Sequence, residues 1–182
     1  LKVNKEENMS LIKPYRHGFQ KGFNSYSGTK GKTGIEFDIL ITDKDEEHEF
    51  GEKENEIAIV AIDGVGEIFF DNTVISFNRS NWIDIDPTVI HLSPGENVKI
   101  KSTSQCRFAV IKTSNDLSFK GKVYQPFDID TEHRGKDQLD DTCYRLVRLA
   151  FDDTISPKEA KLVVGEVLNF PGKWSSYPPH HH

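Results

Sequence analysis

Residues 57–77 read IAIVAIDGVGEIFFDNTVISF, and this stretch decides the fold class. Two turn signals, Asp63-Gly64 and Asp71-Asn72, divide it into three short runs rich in β-branched and aromatic residues. Such runs favour strands, whereas Asp, Asn and Gly favour turns because they tolerate left-handed backbone conformations. The stretch therefore predicts three consecutive short strands at residues 57–62, 67–70 and 73–77.

Further runs of the same kind lie on both sides of this stretch. Residues 35–41 alternate apolar and polar side chains, which is typical of a half-buried strand. Other predicted strands follow at residues 82–85, 89–92, 98–101, 106–112, 143–151 and 162–170. Residues 153–161 fit one helical turn, with Ser156 as the N-cap and Pro157 at the first helical position. Close spacing of short strands indicates an all-β fold, an antiparallel sandwich or barrel.

Three polar stretches are predicted to be irregular. Residues 1–33 are basic and rich in glycine, which suggests an arm with at most a short strand. Residues 43–56 are strongly acidic and predict a solvated loop, and residues 114–142 are polar without periodicity.

Composition excludes some functional classes. The chain has 182 residues, enough for one core with an appendage, and a net charge of −6, which disfavours binding to a nucleic acid backbone. No apolar run reaches membrane-spanning length, so no membrane partner is expected. The distant cysteines, Cys106 and Cys143, predict two reduced, buried thiols in a cytoplasmic protein.

The last ten residues, KWSSYPPHHH, contain a pair of histidines one residue apart, His180 and His182. On a strand both imidazoles would point to one face, which supplies half of a typical metal site. A run of three terminal histidines is also what an affinity tag leaves. The preceding Trp-Ser-Ser-Tyr-Pro-Pro is unlike a vector linker and favours a native segment.

Several segments resemble one known family. They are residues 54–60 with Gly64, residues 89–95, Arg134-Gly135, residues 145–147, and residues 165–180, of which the final stretch is the most specific. On these segments the chain resembles the 5-deoxy-glucuronate isomerase family of inositol catabolism, which is related to 5-keto-4-deoxyuronate isomerase.

The resemblance implies a cupin-type jelly-roll barrel of antiparallel strands within a two-cupin protein. It implies an irregular arm at 1–33, an N-terminal cupin with connecting segment at 34–165, and the start of a truncated second cupin at 166–182. In the family the second cupin binds a divalent metal, here expected to be zinc or manganese. His180 and His182 match two ligands, whereas the Glu and third His would lie beyond residue 182. The chain alone is therefore expected to bind no metal tightly.

The implied activity is an aldose–ketose isomerisation, an intramolecular oxidoreduction of the 5-deoxy-glucuronate to 2-deoxy-5-keto-gluconate type. A uronate needs a cation for its carboxylate, and arginine binds carboxylates through two parallel hydrogen bonds. Arg134 and Arg145 are the candidates, although Arg134-Gly135 also suits a turn and Arg145 an outward strand position. Trp174 and Tyr177 suit the wall of a sugar pocket or a seam between two domains. No catalytic base is assigned.

The expected partners are a small sugar acid and further copies of the chain. A barrel of this kind leaves sheet edges uncovered, which favours a homo-oligomer such as a dimer, through the N-terminal arm or a sheet edge. The chain alone is expected to be inactive. The alternative is a non-catalytic cupin domain that binds sugar or mediates oligomerisation.

Overall fold

The computed structural model describes residue 15, residues 17–25 and residues 33–176, and strands dominate these residues. Helical structure among them is confined to short turns, which include the 3-10 helices Pro126–Asp128 and Leu139–Asp141. The prediction of an all-β fold is confirmed. The strands are β1 (Gly22–Ser25), β2 (Ile35–Thr42), β3 (Glu47–Phe50), β4 (Asn55–Phe70), β5 (Thr73–Arg79), β6 (Val89–Leu92), β7 (Val98–Ser102), β8 (Cys106–Ser114), β9 (Lys122–Tyr124), β10 (Asp130–Arg134), β11 (Arg145–Phe151) and β12 (Val164–Asn169).

The long strand β4 belongs to both sides of a barrel. Its first half pairs with β8 and β6, in a path that runs β1-β2-β8-β4-β6-β9. Its second half pairs with β5 and β7, and β7 pairs with β3. Every pairing is antiparallel, and the strand that passes from one side to the other closes a cupin-type jelly-roll barrel.

A bulge allows β4 to bend without ending. The register with β8 shifts by one residue between Ala61 and Asp63. Gly64 follows with φ +110°, and a Cβ there would lie 2.4 Å from Cys106 Sγ. The prediction that Asp63-Gly64 separates two strands was wrong, because an extra residue in a bulge bends a strand while the pairing continues on both sides.

Apolar side chains fill the interior of the barrel. The inward residues of β4, among them Ile57, Ile59 and Ile68, are almost completely buried. They pack against Leu40, Phe77, Ile90, Leu92, Val98, Ile100, Phe108 and Val110. This interior is a packed core.

A small sheet of order β10-β11-β12 covers the outer face of the barrel. A second apolar cluster joins the two layers and includes Ala58 and Val60 of β4 with Phe151 of β11 and Val164 of β12. Residues 57–61 are therefore buried on both faces of the strand. This explains why the sequence runs apolar there without alternation.

Other predictions of local structure were also wrong. The acidic loop at 43–56 contains β3, which pairs with β7 and buries Phe50 in the core. The polar stretch at 114–142 contains β9 and β10, because β6 and β11 supply partners for their backbones. Residues 82–85 form turns, since the Asn81 side chain accepts hydrogen bonds from the backbone N–H groups of Ile83 and Asp84.

The structure also bears on the N-terminal arm, the domain boundary, the helical turn and the cysteines predicted from the sequence. Most of the arm at 1–33 lies outside the described residues, but β1 lies within it and pairs with β2. The predicted boundary between residues 165 and 166 falls inside β12. Residues 153–161 form turns in place of the predicted helical turn. Cys106 and Cys143 are both buried free thiols, as predicted. Within the described part of the chain, no helix is long and apolar enough to cross a membrane.

Gly64 offers a direct test of the bend in β4. We expect Gly64→Ala to lower the free energy of unfolding by about 3 kcal/mol or more, since it adds the contact with Cys106 to the cost of a positive φ. Gly95→Ala is the matched control, because Gly95 has φ +86° with no atom within 4 Å of the added Cβ. The two variants are compared by urea unfolding, and equal losses would contradict the close approach at Gly64.

Candidate functional site

The small sheet carries the two predicted substrate-binding arginines at one end. Arg134 on β10, Arg145 on β11 and Asn169 on β12 are directly opposed across the three strands. Directly opposed residues point to the same face of an antiparallel sheet. The structure therefore brings Arg134 and Arg145 to neighbouring positions.

The chain beyond β12 returns to the same end of the sheet. A turn at Pro171-Gly172, with φ +74° at Gly172, is closed by a hydrogen bond from the Lys173 N–H to the Phe170 carbonyl. The Trp174 N–H then donates to the Thr142 carbonyl at 2.7 Å, just before β11 begins. Trp174 keeps about half of its side chain exposed, at 53%. Trp174, Arg134 and Arg145 thus lie at one end, which we call the arginine end.

The two arginines have different environments. Arg145 is buried and donates from Nη1 to the Cys143 carbonyl at 3.0 Å. Arg134 is exposed and donates to Glu132 from Nε at 2.7 Å and from Nη2 at 3.3 Å. The hydrogen bond from Arg134 lowers the pKa of Glu132. Arg145 therefore has the fixed position, and Arg134 sits at the solvent boundary.

The remaining predicted site residues, Tyr177, His180 and His182, lie outside the described residues. Their roles as pocket wall and metal ligands stay predictions.

The opposite face of this sheet end carries an aromatic group. His133 Nδ1 lies 2.7 Å from the Tyr144 hydroxyl, and the two rings stack at 5.9 Å. Tyr144 also stacks on Phe170, with 5.0 Å between centroids. Since His133 and Arg134 are adjacent on β10, their side chains point to opposite faces. His133 is therefore separated from the arginine face by the sheet.

A buried ionic network fixes the small sheet to the barrel. Arg79 of β5 and Arg148 of β11 are each 2% exposed, and both bind the carboxylate of Glu166 on β12. The second Arg79 contact with Glu166 is made by Nη2. Arg148 Nε also lies 2.7 Å from Asp86 Oδ1, an ion pair outside hydrogen-bond geometry.

Backbone carbonyls satisfy the rest of this network. Arg79 donates to the carbonyls of Ala61, Trp82 and Ile85, and Arg148 donates to those of Trp82 and Ile83. Together these bonds join the bend of β4, the turns after β5 and the small sheet. Sequence reasoning missed this network, because the Arg79 and Glu166 partners stand 87 residues apart with no local pattern.

A second buried carboxylate, that of Glu56, ties β4 to the segment before β12. Glu56 is fully buried and accepts hydrogen bonds from His91 Nε2 at 2.7 Å and from Asn115 Nδ2 at 2.9 Å. It also accepts the backbone N–H groups of Lys161 and Leu162 at 2.8 and 3.0 Å. Burial opposes ionisation, but these four donors outweigh it and lower the pKa of Glu56.

His91 therefore has a structural role. Its ring stacks on Phe151 at 4.0 Å with an interplanar angle of 9°, and it is 1% exposed. Because the Glu56 carboxylate accepts, His91 Nε2 carries the proton in this contact.

The metal implied by the resemblance does not fit the described residues. Across residues 15, 17–25 and 33–176, no three His, Cys, Asp or Glu side chains form a metal-binding group. The barrel interior is apolar. The predicted ligands, His180 and His182, lie outside these residues.

Comparison with known proteins identifies the family. The sequence profile described as "KduI/IolB family" matches residues 12–182. This chain belongs to the KduI/IolB family. The family profile covers β1 through β12 and the arginine end, so all of the described geometry belongs to a KduI/IolB protein.

The curated relatives carry one name. A Bacillus subtilis (strain 168) protein named 5-deoxy-glucuronate isomerase is 26% identical over 94% of this chain and 64% of its own length. A protein of the same name from Shouchella clausii is 32% identical over 70% of this chain and 46% of its own length. The chain thus spans less than two thirds of the length of these relatives.

A solved structure shares the fold. The crystal structure of an IolB-like protein from Salmonella typhimurium LT2 has a TM-score of 0.74 and 21% identity, and the match covers 88% of this chain and 60% of that one. A putative glyoxylate-induced protein from Pseudomonas aeruginosa has a TM-score of 0.50 and 12% identity over 66% of this chain and 44% of its own. At these identities the likeness concerns the fold.

Glu166→Gln tests the ionic network. The substitution keeps the size of the side chain but removes the charge between two buried guanidinium groups, so we expect a loss of about 3 kcal/mol in the free energy of unfolding. The measurement is urea unfolding at pH 7. Glu67→Gln is the control, since Glu67 is also half-buried but lies on β4 away from both arginines. A loss no larger than that of the control would contradict the network.

Glu56→Gln tests the second carboxylate through its pH dependence. Because folding lowers the pKa of Glu56, its contribution is full above the unfolded pKa and is lost as the pH falls through the folded pKa. We expect Glu56→Gln to cost about 1–3 kcal/mol at pH 7 and progressively less as the pH is lowered below about 4. The exposed Glu54→Gln serves as control, and a loss independent of pH would refute the assignment.

Proposed function

We propose that this chain is the N-terminal part of a sugar isomerase that converts a deoxy-uronate of the 5-deoxy-glucuronate type to the corresponding keto acid. Membership of the KduI/IolB family and the shared name of the curated relatives support this proposal. The observation that carries it is that Arg134 and Arg145 lie opposite each other near Trp174. His180 and His182 follow Trp174 in the sequence.

The two arginines suit the recognition of a uronate. A carboxylate needs a cation that is fixed before the ligand arrives, and Arg145 is fixed by burial and by its bond to the Cys143 carbonyl. Arg134, one strand away, lies at the solvent boundary in an exposed ion pair with Glu132, and a substrate carboxylate would have to replace Glu132 there. Arg145 would orient the carboxylate, and Arg134 would contribute to its capture.

Trp174 suits the wall of the same pocket. Its backbone is held by the bond to Thr142, while about half of its indole stays exposed. An aromatic ring offers an apolar surface to the C–H face of a sugar. Tyr177 would extend this wall.

His180 and His182 would hold two coordination positions of a divalent metal, zinc or manganese, in the longer protein. When bound, such an ion stabilises the negative charge that develops on the substrate oxygens during proton transfer between adjacent carbons. Its other ligands are proposed to come from a second cupin. No general base is assigned among the described residues.

An exposed apolar surface on β12 is consistent with a second domain. Val163, just before β12, and Val167, within it, are 64% and 51% exposed. Large apolar side chains that share an exposed sheet face favour contact with another protein surface. The relatives, which are longer than this chain, would cover this face with their remaining residues.

We also propose a cytoplasmic homo-oligomer. Two buried free thiols suit a reducing compartment. The edge strand β1 pairs with β2 and exposes Phe23, which is 52% exposed, so this edge suits a contact between copies of the chain.

The test uses the longer gene product, extended to the length of the relatives. We expect it to contain about one divalent metal per chain and to isomerise 5-deoxy-glucuronate, measured by metal analysis and by product formation. His180→Ala and His182→Ala should remove the metal and lower activity by more than about 100-fold, since even residues around metal ligands contribute 10–100-fold. His17→Ala, a histidine of the arm, is the control.

Arg145 is tested in the same assay. Arg145→Lys should raise KM with a smaller effect on kcat, since it removes planar recognition of a carboxylate. A full-length product without metal and without turnover would overturn the proposal. It would favour the alternative of a non-catalytic cupin domain, which the packed apolar barrel interior also suits.

A further inference from the structure

A cleft of about 790 Å³ opens beside the bend of β4. Its walls come from the N-terminal arm, the bend, the end of β5 and the start of β8. The side chains that matter most are Phe19, Lys21, Asp63, Ser80, Gln105 and Arg107. Its volume is in the range of pockets for small molecules. It shares none of the residues of the arginine end.

The centre of the cleft is a carboxylate–guanidinium pair. The bulge places Asp63 directly opposite Arg107 in the register of β4 and β8. Arg107 Nε lies 2.9 and 2.8 Å from the two Asp63 oxygens, and Nη2 also contacts Oδ2. Asp63 therefore occupies the Nε–Nη2 edge of the guanidinium group. Among the described residues, no partner binds Nη1, and the Arg107 side chain is 45% exposed.

Every positive charge around the cleft is compensated by a carboxylate. Lys21 is held by Asp43 at 2.8 Å and Glu46 at 2.5 Å. Arg107 forms an ion pair with Asp63, and Arg79, which lines the cleft, forms an ion pair with Glu166. A strong anion would need uncompensated positive charge, which this arrangement does not offer. Paired donors and acceptors instead suit a neutral ligand with many hydroxyl groups.

The arm provides an apolar wall. Phe19 packs against Tyr15 with 5.2 Å between ring centroids, and the Tyr15 hydroxyl donates to the Ser25 carbonyl at 2.5 Å. Phe19 is 37% exposed and lines the cleft. Across from it, Ser80 is an exposed hydroxyl without a described partner, and Gln105 presents an amide. Polar groups with one aromatic wall match the two kinds of surface on a sugar ring.

We propose that this cleft binds a neutral monosaccharide, at a site separate from the proposed isomerase site. Arg107 Nη1 donates to ring hydroxyls, Asp63 and Gln105 accept from them, and Phe19 contacts the C–H face. This inference goes beyond the proposed function and does not depend on it, because it uses residues of the described barrel alone.

The test titrates the 182-residue chain with D-glucose, D-galactose and D-mannose and follows its amide resonances. We expect at least one hexose to shift the resonances of Gly64, Ser80 and Gln105. Arg107→Lys should weaken this binding about tenfold, which corresponds to the loss of one charge-assisted hydrogen bond. Ser80→Ala should weaken it by a smaller factor, and Ser118→Ala, an exposed serine outside the cleft, should leave it unchanged. Urea unfolding establishes that the variants are folded.

Three outcomes would overturn the proposal. They are the absence of any shift with all three hexoses, shifts that lie outside the cleft, and binding that Arg107→Lys leaves intact. Tighter binding of D-glucuronate than of every hexose would overturn the assignment of a neutral ligand. Since the titration involves no turnover, a failure of the proposed isomerase activity leaves its result unaffected.

Discussion

Two buried arginines, Arg79 and Arg148, share the carboxylate of Glu166 at the junction between barrel and small sheet. Burial of two guanidinium groups is costly unless every donor finds an acceptor. Here Glu166 and the carbonyls of the β4 bend and of residues 82–85 accept hydrogen bonds from the two arginines, and Asp86 balances the charge at Arg148 Nε as an ion pair without a hydrogen bond. Because the partners come from β5, β11 and β12, neither β11 nor β12 can slide along the barrel without leaving a charge unpaired. The position of the arginine end follows from this constraint.

The strand β4 connects this junction to the rest of the fold. Its inward side chains fill the barrel, and its outward ones, Ala58 and Val60, pack beneath the small sheet. At its start, Glu56 holds residues 161 and 162 through their N–H groups. At its bend, the Ala61 carbonyl accepts from Arg79, and Asp63 forms the pair in the cleft. One strand thus positions both proposed sites, although they share no lining residue.

The sequence predicted the strands whose side chains mark burial, such as β2 by alternation and the first half of β4 by its continuous apolar run. It missed β3 and β10, because their mostly polar side chains give no apolar pattern. These strands form through backbone pairing with β7 and β11. The neighbourhood of Arg134 and Arg145 was not predicted, because it depends on the register of β10 and β11. The roles of His180 and His182 were inferred from a motif and lie outside the described residues. The Arg79–Glu166 contact has no local signal at a separation of 87 residues.

Native-state hydrogen exchange in increasing urea tests most directly whether the small sheet and the barrel form one unit. If the ionic network and Glu56 join them, the amides of β11 and of the first half of β4 open with the same free energy and the same dependence on urea. An opening of β11 and β12 at lower free energy, while β4 and β8 stay protected, would contradict the account. The small sheet would then be an independent appendage, and the arginine end would have no fixed position relative to the barrel.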